Sequence, residues 1–354
     1  MKNNAIRCDI FCAVVDNYGD AAVCWRLARQ LAADHGWRVR LWIDDLAPLY
    51  RLAPGFATGP VEVHAWPTTW SRPWPEDDTP EVVIEAFACE TPQACVDAMA
   101  SRACPPVWIN LEYLSAEAWV EGCHRQPSPH PRLPLVKHFY FPGFTAGTGG
   151  LLRERDYDAR RDCFDEAAFR AEFALPPRLP GELTISLFSY ANPALPGLIE
   201  AWAAWARPER PVRVLRPGGS DAAQAIGKLD LLPLPFLPQD RYDELLWACD
   251  LNFVRGEDSF VRAQWAAKPF VWLIYPQAEG AHLAKLGAFL AMHPAGAALR
   301  PFWQTWNGNG PLDWMAFAAA LPSLDEPCQR WATSLKERPD LADGLVKFCL
   351  QRLK

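Results

Sequence analysis

The sequence predicts an α/β protein with two Rossmann-like, doubly wound domains that face each other across a cleft. Its 354 residues suffice for two domains of roughly 150 residues each. Short apolar runs alternate with helix-like stretches in the first half, and the same alternation starts again after a proline-rich segment. Strands separated by helices indicate parallel sheets that are covered by helices on both faces.

In the first half, the apolar run Cys8–Val15 predicts a strand and residues Asp20–His35 predict the helix that follows. Apolar side chains recur in this helix at i, i+3, i+4 and i+7, and Gly36 stands where a helix C-terminus favours glycine. A second helix is expected near Pro92–Ala100. Further strands are predicted at Val39–Ile43, Val61–Trp66, Val82–Phe87 and Val107–Leu111. Residues 125–150 are expected to form loops.

The proline-rich segment Ala174–Gly181 predicts the domain boundary, between an N-terminal domain over residues 1–175 and a C-terminal domain over residues 182–338. Strands of the second domain are predicted at Leu183–Phe188, Val212–Leu215, Leu231–Leu234, Leu251–Val254 and Phe270–Ile274. Helices are predicted at Leu195–Ala206, Arg241–Ala248, Ser259–Ala267, Gly280–Met292, Leu312–Ala320, Leu324–Lys336 and Leu341–Leu353. Such sheets bind ligands at the carboxyl ends of their strands, so the loops after the strands are the candidates for function.

Composition argues against several classes of protein. No apolar run approaches the roughly 18–20 residues of a membrane span, and the N-terminus lacks the apolar core of a signal peptide. The net charge of −7 argues against a nucleic-acid-binding protein. Eleven cysteines without a Cys-x-x-Cys motif indicate reduced thiols in a cytoplasmic protein. The histidines lack metal-ligand spacing, so no metal site is expected.

The loop Asp16–Asp20 joins the first strand to the first helix. A dinucleotide-binding domain would carry Gly-x-Gly-x-x-Gly here, whereas this loop has one glycine and two carboxylates. The loop should repel a phosphate, and it could bind a proton or a cation. Alternatively, Asp20 only caps the helix.

The segment Arg255–Ser259 is the matching turn of the second domain. Free amides at the following helix could bind a diphosphate, Arg255 could add charge, and Glu257 could accept hydrogen bonds from sugar hydroxyls. The alternative is a capping turn with an exposed ion pair. Residues with aromatic or amide side chains follow other strands of this domain, where they could contact a base or simply close the core: Phe188, Tyr190, Phe236, Gln239 and Tyr275.

Segments in both domains also match a family pattern. They are Asp9–Cys12, Val14–Asp20, Cys24–Leu31, Val83–Glu90, Trp108–Ser115, Phe141–Phe144, Arg255–Trp265, Lys268–Phe270 and Ile274–Gln277. In these segments the chain resembles the elongation factor P–arginine rhamnosyltransferases, bacterial glycosyltransferases of the two-Rossmann-domain (GT-B) type. The resemblance implies an inverting transfer of L-rhamnose from dTDP-β-L-rhamnose to one arginine of elongation factor P, without a metal or other cofactor. The modified factor would relieve ribosomes stalled on polyproline stretches.

The resemblance also implies roles for particular residues. Asp20 matches the general base and Asp16 its companion carboxylate, with Glu257 as a third catalytic candidate whose share of the work stays open. The donor site is expected to contain Asn17, Tyr18, Gly19, Phe188, Tyr190, Phe236, Gln239, Arg255, Glu257, Asp258, Ser259 and Tyr275. The last helix, within residues 341–354, is expected to pack back on the first domain. Neither a nucleic acid nor a membrane is expected as a partner.

Two alternative hypotheses about the function stay open at this point. One is a GT-B glycosyltransferase with another nucleotide sugar or acceptor. The other is a protein that binds a nucleotide sugar or a translation factor without catalysis, although two carboxylates opposite a diphosphate site argue against pure binding. A nicotinamide-dependent dehydrogenase is the weakest hypothesis, because the first turn lacks the required glycines.

Overall fold

The computed structural model describes residues 5–16, 18–67, 69–70, 74, 78–219, 222–277, 280–308 and 310–353. The chain forms two compact units. Unit 1 comprises the chain up to Arg155 together with the part from Arg338 onward, and unit 2 spans Asp156–Glu337. Each unit has a mainly parallel sheet flanked by helices, which confirms the predicted α/β class and its two Rossmann-like units.

The sheet of unit 1 has the strand order β3-β2-β1-β4-β5-β7-β6 among the described residues. Its strands are β1 (Arg7–Cys12), β2 (Arg38–Ile43), β3 (Val61–Ala65), β4 (Val82–Ala86), β5 (Val107–Leu111), β6 (Pro127–Pro129) and β7 (Val136–Tyr140). Its helices are α1 (Gly19–His35), α2 (Ala47–Leu52), α3 (Gln93–Ala100), α4 (Trp119–Cys123) and α14 (Leu341–Leu350). The β6–β7 pair is antiparallel, and the other pairs are parallel.

The order of strands reverses between β1 and β4, which lie side by side. From β1 the chain adds β2 and β3 on one side, and it then returns to add β4 and β5 on the other. The loops that leave β1 and β4 therefore diverge at the carboxyl edge of the sheet. This switch point is where open α/β sheets bind their ligands.

Unit 2 has the strand order β10-β11-β9-β8-β12-β13 among the described residues. Its strands are β8 (Leu183–Leu187), β9 (Val212–Pro217), β10 (Gln224–Ile226), β11 (Leu229–Leu234), β12 (Leu251–Arg255) and β13 (Phe270–Leu273). Its helices are α5 (Tyr157–Asp162), α6 (Glu166–Glu172), α7 (Leu195–Trp205), α8 (Gln239–Ala248), α9 (Asp258–Ala266), α10 (Ala281–Met292), α11 (Gly296–Asn307), α12 (Trp314–Ala320) and α13 (Asp325–Lys336). Its switch point lies between β8 and β12, so the loops at Phe188 and Arg255 border it.

The structure places the break between the units after Arg155 instead of in the proline-rich segment Ala174–Gly181. The helices before that segment pack on unit 2. Tyr157 is fully buried there, and its hydroxyl accepts a hydrogen bond from Trp247 Nε1 at 2.9 Å. Arg170 is also buried and contacts Glu182 at 3.0 Å. Both contacts attach residues 156–175 to the second unit.

Other boundaries also differ from the sequence prediction. The first strand ends at Cys12 rather than Val15, because residues 13–16 and 18 form a loop in which Val15 is 73% exposed. Residues 125–150 are not all loop, since β6 and β7 pair within them. The helix α11 was not predicted, and it contains Pro301.

The C-terminal helix α14 packs within unit 1. Leu345 is fully buried, and the Phe348 ring lies 5.7 Å from that of Tyr140. Gln30 Nε2 on α1 donates to Asp340 Oδ1 at 3.1 Å, at the start of α14. The final segment of the chain is therefore part of the core of unit 1.

All eleven cysteines are free. In the described part of the chain, we find no helix of the length and apolarity that a membrane crossing requires.

Candidate functional site

The loop after β1 surrounds a buried carboxylate, that of Asp20. Asp20 is 2% exposed, and its Oδ2 accepts hydrogen bonds from the backbone amides of Val15 at 2.8 Å and Asp16 at 2.9 Å. Tyr113 donates its hydroxyl to Oδ1 at 3.1 Å. Helix α1 begins at Gly19, and its N-cap residue Tyr18 makes no side-chain capping bond. Asp20 thus binds the turn before the helix, which agrees with one part of the alternative, and it is not the N-cap residue of the helix.

Asp16 lies beside the start of α1, where Gly19 leaves room for it. Asp16 is half-buried, and Gly19 N donates to its carbonyl oxygen at 2.6 Å. A Cβ atom at Gly19 would stand only 2.6 Å from Asp16 Oδ2. The hydroxyl of Tyr18 accepts a hydrogen bond from Arg51 at 3.3 Å. The predicted donor residue Asn17 lies outside the described residues.

Two residues of this site were not singled out as functional in the sequence. Tyr113 follows β5 and Phe87 follows β4. Both strands lie across the switch point from β1, the strand that precedes the Asp20 loop. Their rings stack at 4.3 Å between centroids, with 12° between the planes. The available signal was their position at the ends of two predicted strands, since Phe87 is the last residue of one and Tyr113 follows the other by two residues. The contact with Asp20 depends on the strand order.

In unit 2, the Arg255 guanidinium lies on two aromatic rings. Its Cζ is 4.2 Å from the centroid of Phe188 and 4.7 Å from that of Tyr190. Arg255 Nη1 also donates to the carbonyl oxygen of Ser189 at 3.3 Å. The structure thus brings together three predicted residues from the loops on both sides of the switch point.

The turn from β12 into α9 leaves the first amides of the helix without a cap from its N-cap residue. Gly256 has a φ of +62°, which favours glycine, and Glu257 at the N-cap makes no side-chain capping bond. The Ser259 hydroxyl accepts from Arg255 N at 3.1 Å and donates to Arg255 O. Ser259 therefore closes the turn and does not cap the helix. Asp258 Oδ2 accepts from Gln239 Nε2 at 3.1 Å.

The remaining predicted residues border this group less closely. Tyr275, 42% exposed, meets Tyr190 edge to face at 5.6 Å. Phe236 follows β11, and its Cδ2 would lie 3.5 Å from a Cβ atom at Gly218. The ring of Tyr242 lies 5.5 Å from that of Phe188 between centroids. Tyr242 was not singled out in the sequence. Burial raises the pKa of Tyr242 well above its ordinary value, so that its hydroxyl stays protonated.

The two loops differ in chemistry. The unit 1 loop offers carboxylates, one of them oriented by three donors, which suit a cation or an acidic proton. The unit 2 loop offers a guanidinium, aromatic rings and a helix N-terminus, which suit an anionic group attached to a ring. Among the described residues we find no cluster of three metal-ligating side chains.

Comparisons with known proteins agree across the chain. The family model described as "Elongation-Factor P (EF-P) rhamnosyltransferase EarP" matches residues 8–350. A protein-arginine rhamnosyltransferase of Pseudomonas aeruginosa is 47% identical over 372 residues, covering 96% of this chain and 98% of that protein. One of Pseudomonas putida is 46% identical over 375 residues, covering 96% and 97%.

A solved structure is similar over nearly the whole length. It is described as "Structural basis for EarP-mediated arginine glycosylation of translation elongation factor EF-P", and it matches with a TM-score of 0.66 and 34% identity. The match covers 98% of this chain and 99% of the other. Both units therefore have counterparts in that structure.

Proposed function

Because the chain belongs to the family of elongation factor P rhamnosyltransferases, EarP, we propose that it transfers L-rhamnose from dTDP-β-L-rhamnose to an arginine of elongation factor P. The chain is a glycosyltransferase and thus an enzyme. We further propose that the transfer inverts the anomeric carbon and requires no metal ion. A cytoplasmic location and a role in the translation of polyproline stretches stay predictions.

The observation that carries the proposal is the pair of carboxylates in the loop after β1. A guanidinium is a poor nucleophile because its lone pairs are delocalised and its pKa exceeds about 12. Asp16 is half-buried and could pair with the acceptor guanidinium, while the oriented carboxylate of Asp20 accepts a proton. Since Asp20 is 2% exposed, the acceptor must displace part of what covers it.

The donor would bind to unit 2. The amides at the start of α9 and the Arg255 guanidinium offer positive charge to a diphosphate. Phe188 or Phe236 offers a ring on which thymine could stack, and stacking on Phe188 would require the Arg255 guanidinium to move from that ring. Glu257, at the N-cap of α9, could accept hydrogen bonds from a sugar.

The proposed step forms one bond and breaks one. A guanidinium nitrogen attacks the anomeric carbon, and the bond from that carbon to the diphosphate oxygen breaks. Asp20 takes the proton from the nitrogen, and dTDP leaves with the bonding electron pair. Arg255 and the helix amides would stabilise the charge that grows on dTDP, without a metal ion.

The deciding experiment is intact-mass spectrometry of elongation factor P after incubation with the protein and dTDP-rhamnose. We expect a gain of one deoxyhexose, which fragmentation places on a single arginine. The gain should persist in EDTA, and NMR of the linkage should show the inverted anomer. UDP should bind more weakly than dTDP in a parallel titration.

The variant Asp20→Asn should nearly abolish transfer and leave dTDP binding unchanged, because the residues proposed to hold the diphosphate and the thymine base belong to unit 2. The exposed carboxylate Asp97, in the same unit, provides the control Asp97→Asn. If Asp20→Asn instead removes dTDP binding, Asp20 is not the base. Tight dTDP binding by the native protein without any gain in mass would reject the proposed acceptor.

A further inference from the structure

The Asp20 carboxylate has an unequal set of hydrogen bonds on its two oxygens. Oδ2 accepts from two backbone amides, those of Val15 and Asp16, whereas Oδ1 accepts from a side chain distant in sequence, the hydroxyl of Tyr113. A carboxylate oxygen accepts about two hydrogen bonds, so among the described residues Oδ2 has both of its donors and Oδ1 has one, which leaves a position for a further proton donor. Without the Tyr113 hydroxyl, the described residues would hold only one oxygen of the carboxylate.

Tyr113 is itself held by the ring of Phe87. The two rings are nearly parallel, at 12°, with 4.3 Å between centroids. Tyr113 directly follows Glu112, whose backbone amide donates to Tyr140 O at 2.9 Å and continues the pairing of β5 with β7. The ring and the backbone of Tyr113 therefore both have fixed neighbours.

Phe87 stands in an unusual backbone segment. Phe87, Ala88 and Glu90 have φ values of +57°, +54° and +56°, a region that residues with a Cβ atom avoid. Hydrogen bonds hold the segment there, from Phe87 N to Leu111 O at 2.7 Å and from Ala88 N to Asn110 Oδ1 at 3.2 Å. Conformations of this kind persist where the surroundings enforce them, and they cluster at functional sites.

From these contacts we infer that Tyr113 is a positioning residue, which fixes the plane of the Asp20 carboxylate so that the free position on Oδ1 faces the acceptor. Phe87 acts through Tyr113 by holding its ring. The inference rests on the proposed function, in which Asp20 is the base. It assigns no contact between Tyr113 and either substrate.

The first test is the variant Tyr113→Phe, which keeps the ring and removes the hydroxyl. We expect kcat to fall about tenfold, with the KM for elongation factor P and the Kd for dTDP unchanged within twofold, because orientation affects the reaction step alone. The matched control is Tyr157→Phe, which removes the buried hydroxyl that accepts from Trp247 in unit 2. It should affect stability and leave kcat unchanged.

Two kinetic results would overturn the inference. An unchanged kcat would mean that the carboxylate keeps its orientation without the hydroxyl. A lower KM for elongation factor P at unchanged kcat would mean that the hydroxyl competes with the acceptor for Oδ1.

A second test uses Phe87. Phe87→Leu removes the stacked ring and should lower kcat several-fold, whereas Phe87→Tyr keeps the ring and should retain activity. Adding Phe87→Leu to Tyr113→Phe should change kcat no further, since both act on one contact. If the double variant instead loses kcat by the product of the two single losses, Phe87 does not act through Tyr113.

A crystal structure of Tyr113→Phe separates this inference from the proposed function. We expect the Asp20 carboxylate to rotate or to occupy two orientations. If it stays in one orientation, the inference fails whatever the activity is. If the native protein adds no rhamnose, the proposed function fails, while the positioning of Asp20 is still decided by that structure.

Discussion

At the scale of single residues, Gly19 is required by the position of a neighbouring side chain. A Cβ atom there would approach Asp16 Oδ2 to 2.6 Å, although the backbone of Gly19 is helical. We expect Gly19→Ala to displace the Asp16 carboxylate and to lower transfer at least tenfold, with little change in melting temperature. Steady-state kinetics and calorimetry would check this. Gly122→Ala, where a Cβ atom meets nothing within 4 Å, is the control.

We expect Arg255 to contribute to the binding of the donor and not to that of the acceptor. Replacing it by alanine removes a charge that lies on the rings of Phe188 and Tyr190, and we expect the Kd for dTDP to rise about tenfold, or about 1.4 kcal/mol. Isothermal titration would measure it. Arg330→Ala, which removes an exposed arginine of the same unit, should leave the Kd unchanged. Equal affinities for native protein and Arg255→Ala would exclude Arg255 from the diphosphate site.

Much of the candidate site could be predicted from the sequence, because charged and aromatic residues follow the predicted strands. Asp16 stands in such a loop, Asp20 in the first turn of the helix after it, and Arg255 at the end of a strand; a resemblance to a family added their proposed roles. Tyr113 could not be connected with Asp20 in this way, because the two are 93 residues apart and meet through the order β1-β4-β5. Tyr242 likewise reaches Phe188 only through the packing of α8 against β8.

At the scale of elements, buried parallel strands were predicted best, because their apolar runs are continuous. β4 and β5 are buried at every position and were placed almost at their observed bounds. The edge strands β6 and β7 lack such runs: β6 has the sequence Pro-Ser-Pro and β7 contains a lysine and a histidine. Helix α11 escaped prediction because Pro301 interrupts its pattern.

The start of α14 should make stability depend on pH. Burial raises the pKa of the Asp340 carboxyl to about 6, although Asp343 N donates to it at 2.9 Å. Because the folded state favours the protonated form, this group's contribution to stability is full below pH 4 and is lost as the pH rises through 6. Ionised Asp340 then costs about 3 kcal/mol.

Asp340→Asn should remove this loss, since asparagine also caps helices and carries no charge. Urea unfolding at pH 4.5 and pH 8 would measure the free energy of unfolding of both proteins. From pH 4.5 to pH 8, we expect the free energy of unfolding of the variant to rise by about 2 kcal/mol relative to that of the native protein. A constant difference between them would show that Asp340 does not titrate in this range.

At the scale of the whole molecule, unit 1 depends on a segment that follows unit 2 in the chain. A chain that ends at Glu337 lacks α14 and with it the buried side chains of Leu341, Leu345 and Phe348. We expect the loss of about 6 kcal/mol from unit 1, which is comparable to the stability of a domain. Unit 2 keeps all its residues and should still bind dTDP.

Differential scanning calorimetry with and without dTDP would test this. The shortened chain should show a transition at lower temperature that dTDP does not shift, and a later one that it does. A chain ending at Leu350, which retains α14, is the control. One transition that moves as a whole with dTDP would show that the two units unfold together.

The division of unit 1 into two chain segments also bears on how the protein is made. Domains usually fold during synthesis, starting from the N-terminus. The described strands of unit 1 all lie within the first 155 residues, but the core that they share with α14 remains incomplete while residues 156–337 are translated. The surface that α14 later covers is exposed to other nascent chains during that time. We therefore expect newly made chains to need chaperone protection until α14 has been synthesised.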